Sequence, residues 1–244
     1  NNDVAFRYTL PREQGKGSVT VNSERTGFRF PSQTTTFLCP QSKPMGGFAR
    51  TSPSYETSYT ADDVAGKNGW GEGYTFPCLF RNGDNGWVLV SETGVNGGYC
   101  ASRLLGHKGG VYTIGFPQEG EANGNGTVSP GIALPGETPW RTITVGKTLA
   151  PIVETTVPFD VVKPLYSAKG EYTYGRGSWS WIIGMDGSTN YKEQPRYIDF
   201  SAAMGYQSVL VDALWDKQIG RDKIEELAKY GKDKGVALYL WYYG

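Results

Sequence analysis

Between residues 190 and 243 the sequence switches repeatedly between two periods, and this alternation limits the possible folds more than any other feature of the chain. SVLVDALW (208–215) opens on a short continuous apolar run of the kind found in strands buried on both faces. Before it, NYKEQPRYIDFSAAMGY (190–206) reads as a helix. Asn190 offers a cap, and Glu193 three residues on completes a capping-box pattern. Pro195 is awkward there, so either the first turn is distorted or the helix begins later. Gly205 suits the left-handed position that ends a helix. After SVLVDALW, GRDKIEELAKYGKDKG carries Ile224, Leu227, Ala228 and Gly231 on one face and charges on the other. VALYLWYY (236–243) reads as a second buried strand, and RGSWSWI (176–182) as an aromatic strand preceding the first helix. The order is β-α-β-α-β with short loops, the unit of a doubly wound sheet or a (β/α)-barrel.

In parallel α/β folds the functional face lies at the carboxyl ends of the strands. Trp179 and Trp181 lie on or at the end of the first strand, Asp212 and Trp215 follow the second, and Trp241 with Tyr242 closes the third. One face would collect an acid and several rings. Such a wall suits a sugar, whose C–H face stacks on an aromatic ring while a carboxylate takes its hydroxyls. The alternative is that the rings fill the core and Asp212 caps the next helix.

Residues 1–165 have a different texture of short alternating stretches broken by Gly, Pro and Asn. Phe28, Phe30 and Phe37 sit in a strand-like context. YTFPCLFRNGDNGWVLVSE predicts a hairpin, Tyr74–Phe80 and Trp87–Glu92 around a turn at Asn82–Gly86. GGVYTIGF, WRTITVG and APIVETTV read as further strands. This half is expected to be an antiparallel β-sandwich. Its 118–131 segment is a polar loop containing the sequon Asn125-Gly126-Thr127.

Charge, cysteines and motifs exclude several classes. Lys+Arg and Asp+Glu number 24 each, so no net field favours nucleic acid or an anionic membrane as partner. No apolar run is long enough to span a bilayer, and the chain opens on NNDVAFRYTLP with no signal-peptide pattern, as a mature or trimmed start would. Cys39, Cys78 and Cys100 form no CxxC pair, no zinc pattern and no disulfide framework; either all are buried thiols or one pair leaves one free. GxSxG, HExxH and P-loop motifs are absent. His107, the single histidine, sits in a turn, and Glu56, Glu72, Glu119 and Glu121 read as solvated loop acids.

The succession ETPWRTITVG, GSWSWI, YIDFSAAMGYQSVLVDALWD and VALYLWYY resembles glycoside hydrolase family 97. The resemblance covers residues 74–244 and is weaker over 1–73. It implies an N-terminal β-super-sandwich over 1–165, incomplete at its start, and the first three βα units of a (β/α)8 TIM barrel over 166–244. It also implies an exo-acting hydrolase that removes terminal α-linked glucose or galactose from oligosaccharides, uses calcium and acts in the bacterial periplasm or outside the cell. The family's Trp-x-Trp matches Trp179 and Trp181, and its acid followed by x-x-Trp matches Asp212 and Trp215; these four and Trp241 are the implied substrate-binding residues. Inverting α-glucosidases of the family often carry Asp-Glu-Gly-Trp where this chain has Asp-Ala-Leu-Trp. The (Thr/Ser)-Glu motif in WVLVSETGV makes Glu92 the implied calcium ligand. Ca²⁺ takes 6–8 oxygens, so the remaining ligands, and both catalytic carboxylates, are expected beyond Gly244 in a longer protein. The alternative is a non-enzymatic carbohydrate-binding protein on the same sandwich.

Overall fold

The computed structural model describes residues 2–41, 61, 63–64, 73–108, 110–124, 126–171 and 174–242, with the side chains of 63–64, 107–108 and 122–123 excepted. Asn125, Glu56, Glu72 and the His107 side chain therefore lie outside the described residues. The chain divides into two units, Asn1–Tyr166 and Ser167–Gly244.

The first unit is antiparallel. Its strands are β1 (Asp3–Phe6), β2 (Thr9–Leu10), β3 (Ser18–Thr20), β4 (Gly27–Arg29), β5 (Thr34–Pro40), β6 (Asp63–Val64), β7 (Tyr74–Asn82), β8 (Trp87–Thr93), β9 (Arg103–Lys108), β10 (Val111–Gly115), β11 (Gly131–Ala133), β12 (Gly136–Glu137) and β13 (Trp140–Gly146). Among the described residues, nine of these form one sheet with the path β1-β13-β8-β7-β9-β10-β4, from which β5 and β6 branch at β7. β11-β3 and β12-β2 are separate two-stranded ribbons. The predicted hairpin is β7 and β8, joined through a 3-10 turn at Gly83–Asn85 with Phe80 opposite Val88. Its inward positions, Cys78, Phe80 and Val90, are fully buried and join Phe28, Leu38, Leu104 and Tyr112 in the core. Phe30 stacks on Phe80 at 4.0 Å, and Phe80 meets the edge of Tyr112 at 5.2 Å. All three cysteines are free thiols.

The expected strand at 150–157 is not one. The chain forms two short helices there, α1 (Ala150–Glu154) and α2 (Val157–Asp160). Pro151 and Pro158 occupy their first turns. A helix leaves those N–H groups unpaired in any case, whereas a strand loses a ladder bond to proline. The two prolines outweigh the strand preference of the Val and Thr around them.

The second unit is the predicted β-α-β-α-β. Its strands β14 (Gly177–Trp179), β15 (Ser208–Val211) and β16 (Ala237–Leu240) are parallel, in that order. RGSWSWI is a strand only as far as Trp179; Trp181 opens a short helix, α3 (Trp181–Gly184). α4 (Gln194–Ala203) starts after the Asn190 turn, with Pro195 in its first turn, so of the two alternatives the later start holds. Asn190 still accepts the Glu193 N–H at 3.0 Å, as a turn before the helix. Gly205 closes α4 with φ of 67°. α5 (Trp215–Gln218) follows β15, and α6 (Arg221–Asp233) leads to β16. Ile198 of α4, Ile224 and Leu227 of α6, and Val209 and Val211 of β15 make the core. Ala228, on the predicted apolar face, is exposed. β16, expected to be buried throughout, exposes Ala237 and Tyr239 on one face, while Leu238 and Leu240 on the other pack against the core.

α6 lies so close to the start of β16 that a Cβ on Gly231 would stand 2.6 Å from the Val236 carbonyl oxygen. Alanine at an open helical site gains about 1 kcal/mol over glycine, but a forced contact in a packed core costs roughly 1–3 kcal/mol. Gly231→Ala is expected to lower the melting temperature in a circular-dichroism melt; a raised one would show that the helix is free to shift.

Candidate carbohydrate-binding site

GSWSW builds one side of the site by strict alternation. Ser178 and Ser180 point inward and are buried, while Trp179 and Trp181 point out and stay half-buried. The serines are small enough for α4 to pack over them, and each is hydrogen-bonded. Ser178 Oγ bonds Ser201 Oγ at 2.7 Å, and Ser180 Oγ accepts from Gln194 Nε2 at 3.1 Å and from Ser188 Oγ at 3.0 Å. Sequence reading passed over Ser178, Ser180 and Gln194; the period-2 alternation of Ser and Trp was the available signal.

The parallel register brings the three strand ends together. Trp179 lies opposite Leu210, and Val211 opposite Leu240. Asp212 and Trp241 are therefore the first residues past the paired ends of β15 and β16, and the Trp241 N–H still donates to the Val211 carbonyl at 2.9 Å. Trp179 reaches across β15 and lies nearly parallel to Trp241, with ring centroids 6.0 Å apart and an 8° interplanar angle. Trp181 is stacked against Trp179 at 5.5 Å and 20°. Trp181 Nε1 donates to Asp186 Oδ1 at 2.8 Å, which fixes the ring's edge. Trp241 is 43% exposed and presents the most open of these rings.

Asp212 is 6% exposed. Its Oδ2 accepts the Trp179 Nε1–H at 2.7 Å, and its Oδ1 accepts the Ala213 N–H at 2.7 Å. Trp215 is not part of the wall's surface. It is 6% exposed in the core, donates Nε1–H to the Trp241 carbonyl at 3.2 Å, and meets the edge of Tyr242. Leu214 between them holds φ at 71°, a left-handed conformation that costs a non-glycine residue about 1–2 kcal/mol. That turn sends Trp215 back into the core directly after Asp212. Beside it opens a cavity of about 280 Å³ lined in part by Leu214, Trp215, Lys217, Arg221, Trp241 and Tyr242.

Glu92 stands elsewhere, in the first unit, on β8 opposite Arg141 of β13. Arg141 is 1% exposed and lies between two carboxylates. Its Nε and Nη2 donate to Glu24 at 2.9 and 2.5 Å, and its Nη1 donates to Glu92 Oε2. Ser102 donates its N–H to Glu92 Oε1 at 3.0 Å and its hydroxyl to Oε2. Burial pushes the Glu24 carboxyl up, but hydrogen bonds from Arg141 and Thr26 and the Arg141 charge outweigh it and hold the carboxyl below its usual range. Burial also pushes the Cys100 thiol up to about 11, with the Glu92 charge adding to it. That thiol is no nucleophile at neutral pH.

These residues do not fit a calcium ion. Both Glu92 oxygens are engaged, and the permanent Arg141 cation stands where a second cation would have to approach. Among the described residues, no three His, Cys, Asp or Glu side chains come together as metal ligands.

The comparisons with known proteins take in residues of both units. A family model described as glycosyl-hydrolase 97 N-terminal matches residues 1–164, and the chain belongs to that family. A probable retaining alpha-galactosidase of Streptomyces bingchenggensis is 29% identical over 98% of this chain and 35% of its own length. The retaining alpha-galactosidase of Bacteroides thetaiotaomicron is 22% identical over 99% of this chain and 40% of its own. Among solved structures, a beta-arabinopyranosidase superposes with a TM-score of 0.92 at 62% identity, over 99% of this chain and 39% of that one. A family 97 enzyme of Pseudoalteromonas sp. strain K8, in complex with acarbose, shares the fold with a TM-score of 0.71 at 23% identity, over 98% of this chain and 38% of that one. The chain thus spans two-fifths or less of the length of these relatives.

Two stability outcomes follow for the Arg141 cluster. Arg141→Ala leaves two buried carboxylates facing each other and is expected to cost roughly 3–5 kcal/mol in denaturant unfolding; a loss under about 1 kcal/mol would show that water reaches the cluster. Because the Glu24 carboxyl is depressed in the folded state, its contribution is present above the unfolded carboxylate range and is lost as pH falls through the folded value. The melting temperature of the wild type should fall across that acidic window, and Glu24→Gln should flatten the decline.

Proposed function

We propose that this chain is the amino-terminal part of an exo-acting glycoside hydrolase that removes a terminal pyranose of galacto configuration from oligosaccharides. The observation that carries the reading is the wall of Trp179, Trp181 and Trp241 over Asp212 at the ends of three parallel strands. The three strands with α4 and α6 are the opening βα units of a (β/α)8 barrel, with the wall on its carboxyl-end face. The related proteins named alpha-galactosidase and beta-arabinopyranosidase support one substrate class. β-L-Arabinopyranose has the ring stereochemistry of α-D-galactopyranose and lacks only the C6 hydroxymethyl group. The Asp-Ala-Leu-Trp sequence, in place of Asp-Glu-Gly-Trp, argues against a glucosidase.

In this reading the chain's own residues bind and orient the substrate. The rings stack on the C–H face of the terminal sugar and exclude water from it, which strengthens hydrogen bonds to its hydroxyls. The acid and the nucleophile belong to later strands; a retaining enzyme holds them about 5–5.5 Å apart. The first unit is the family's β-sandwich, and the protein acts in the periplasm or outside the cell.

The test uses the full-length protein with nitrophenyl α-galactoside, β-L-arabinopyranoside and α-glucoside. Hydrolysis of either of the first two faster than the glucoside is expected; a preference for the glucoside would overturn the substrate class. Oligosaccharide binding without hydrolysis of any of the three would favour the non-enzymatic reading. Trp181→Ala and Trp241→Ala are each expected to lower kcat/KM about tenfold to a few hundredfold at an unchanged melting temperature, the loss of a stacking face being worth about 1–3 kcal/mol.

Calcium, which the family resemblance implies, takes its ligands from outside the Arg141 cluster. Calcium titration of the full-length Glu92→Gln variant should give the wild-type Kd together with a lower melting temperature. A weakened Kd at an unchanged melting temperature would make Glu92 a ligand.

A further inference from the structure

We propose that Asp212 is a positioning residue, one that fixes the Trp179 ring and through it the stack of three indoles, and that it takes no substrate hydroxyl itself. The sugar-facing part of this inference rests on the glycosidase reading; the part concerning the rings does not.

Three observations on the Asp212 carboxylate support it. Each of its oxygens already accepts a hydrogen bond from within the unit, Oδ2 from Trp179 Nε1 and Oδ1 from the Ala213 N–H, both at 2.7 Å. The residue is 6% exposed, between the buried Val211 and Ala213. It also lies directly in line with the central strand, beneath the ring that bridges the two outer ones. Strands β14 and β16 stand two strand spacings apart, roughly 9–10 Å, yet the Trp179 and Trp241 centroids are 6.0 Å apart. Trp179, whose Nε1 reaches Asp212 at the end of β15, therefore leans inward over that strand. An indole in a half-buried position has several staggered rotamers available. A charge-assisted hydrogen bond from its single N–H donor selects the one that leans over β15. Once Trp179 is fixed, Trp181 and Trp241 each have a parallel surface to stack on, and the wall is formed before substrate arrives. A carboxylate oxygen can accept a second hydrogen bond, so it is burial between Val211 and Ala213, with both oxygens already engaged inside the unit, that withdraws Asp212 from a ligand.

The experiment is a double-mutant cycle in the full-length protein. Trp179→Phe keeps a ring and removes the N–H donor; Asp212→Ala removes the acceptor; Asp212→Asn keeps one acceptor oxygen. Near-ultraviolet circular dichroism reads the coupled indoles, and kcat/KM on nitrophenyl β-L-arabinopyranoside reads the sugar. If Asp212 acts through Trp179, Asp212→Ala weakens the indole signal, and each single change lowers kcat/KM about tenfold to a hundredfold, the worth of one charge-assisted hydrogen bond. The double variant is then no worse than the poorer single one, and Asp212→Asn recovers part of the signal. Losses that multiply in the double variant, with an unchanged indole signal in Asp212→Ala, would make Asp212 a direct sugar ligand and overturn the proposal. If Asp212→Ala fails to fold, the cycle is run with Asp212→Asn and the same two outcomes decide it. A protein inactive on every glycoside would remove the enzymatic reading alone, because the indole signal still tests whether Asp212 holds the ring.

Discussion

The parallel register of β14, β15 and β16 is the constraint on which the second unit depends. It ends three strands at one level, so that Trp179, Asp212 and Trp241 meet although they are far apart in sequence. A shift of one residue in any strand would turn its side chains to the opposite face. The register is held from the other face by Val209 and Val211, which pack against Ile198 and Leu227, and by Gly231, where α6 approaches the start of β16. Apolar burial on one side of the sheet thus fixes the polar and aromatic geometry at its end.

Apart from the Asp212 carboxylate, the two units bury polar groups in contrasting ways. Behind the Trp wall the buried groups are neutral hydroxyls and an amide: Ser178, Ser180, Ser188, Ser201 and Gln194 bond to one another and to nearby carbonyls. In the β unit a full charge is buried. Arg141 is satisfied by two glutamates from separate stretches of chain, and one of them, Glu92, is further held by Ser102. Such a cluster adds little net stability compared with an apolar replacement, but loss of any one partner strands a charge. It therefore ties Glu24, β8 and β13 into one arrangement. Glu92, at the end of an apolar strand, has the sequence appearance of an outward-facing ligand and the surroundings of an inward-facing counter-ion.

The periodicity determined much of this protein. The β-α-β-α-β order, the antiparallel hairpin around Gly83–Asn85 and the end of α4 at Gly205 are local matters of alternation, turn residues and backbone freedom, so a single sequence carries them. The same holds for the placement of Trp179, Asp212 and Trp241 at strand ends, since strand lengths alone give it. The helices at 150–160 were the local miss, because two prolines outweighed a Val/Thr run whose composition favours strands. What only the tertiary structure decided is which partner each polar or aromatic side chain meets. Asp212 engages Trp179, Trp215 enters the core while Trp241 stays open, and Glu92 pairs with an arginine 49 positions away. Each of those choices depends on distances between segments remote in sequence. Hydrogen bonds and ion pairs act over a few ångströms, so nothing local in the sequence fixes them until the sheets have formed.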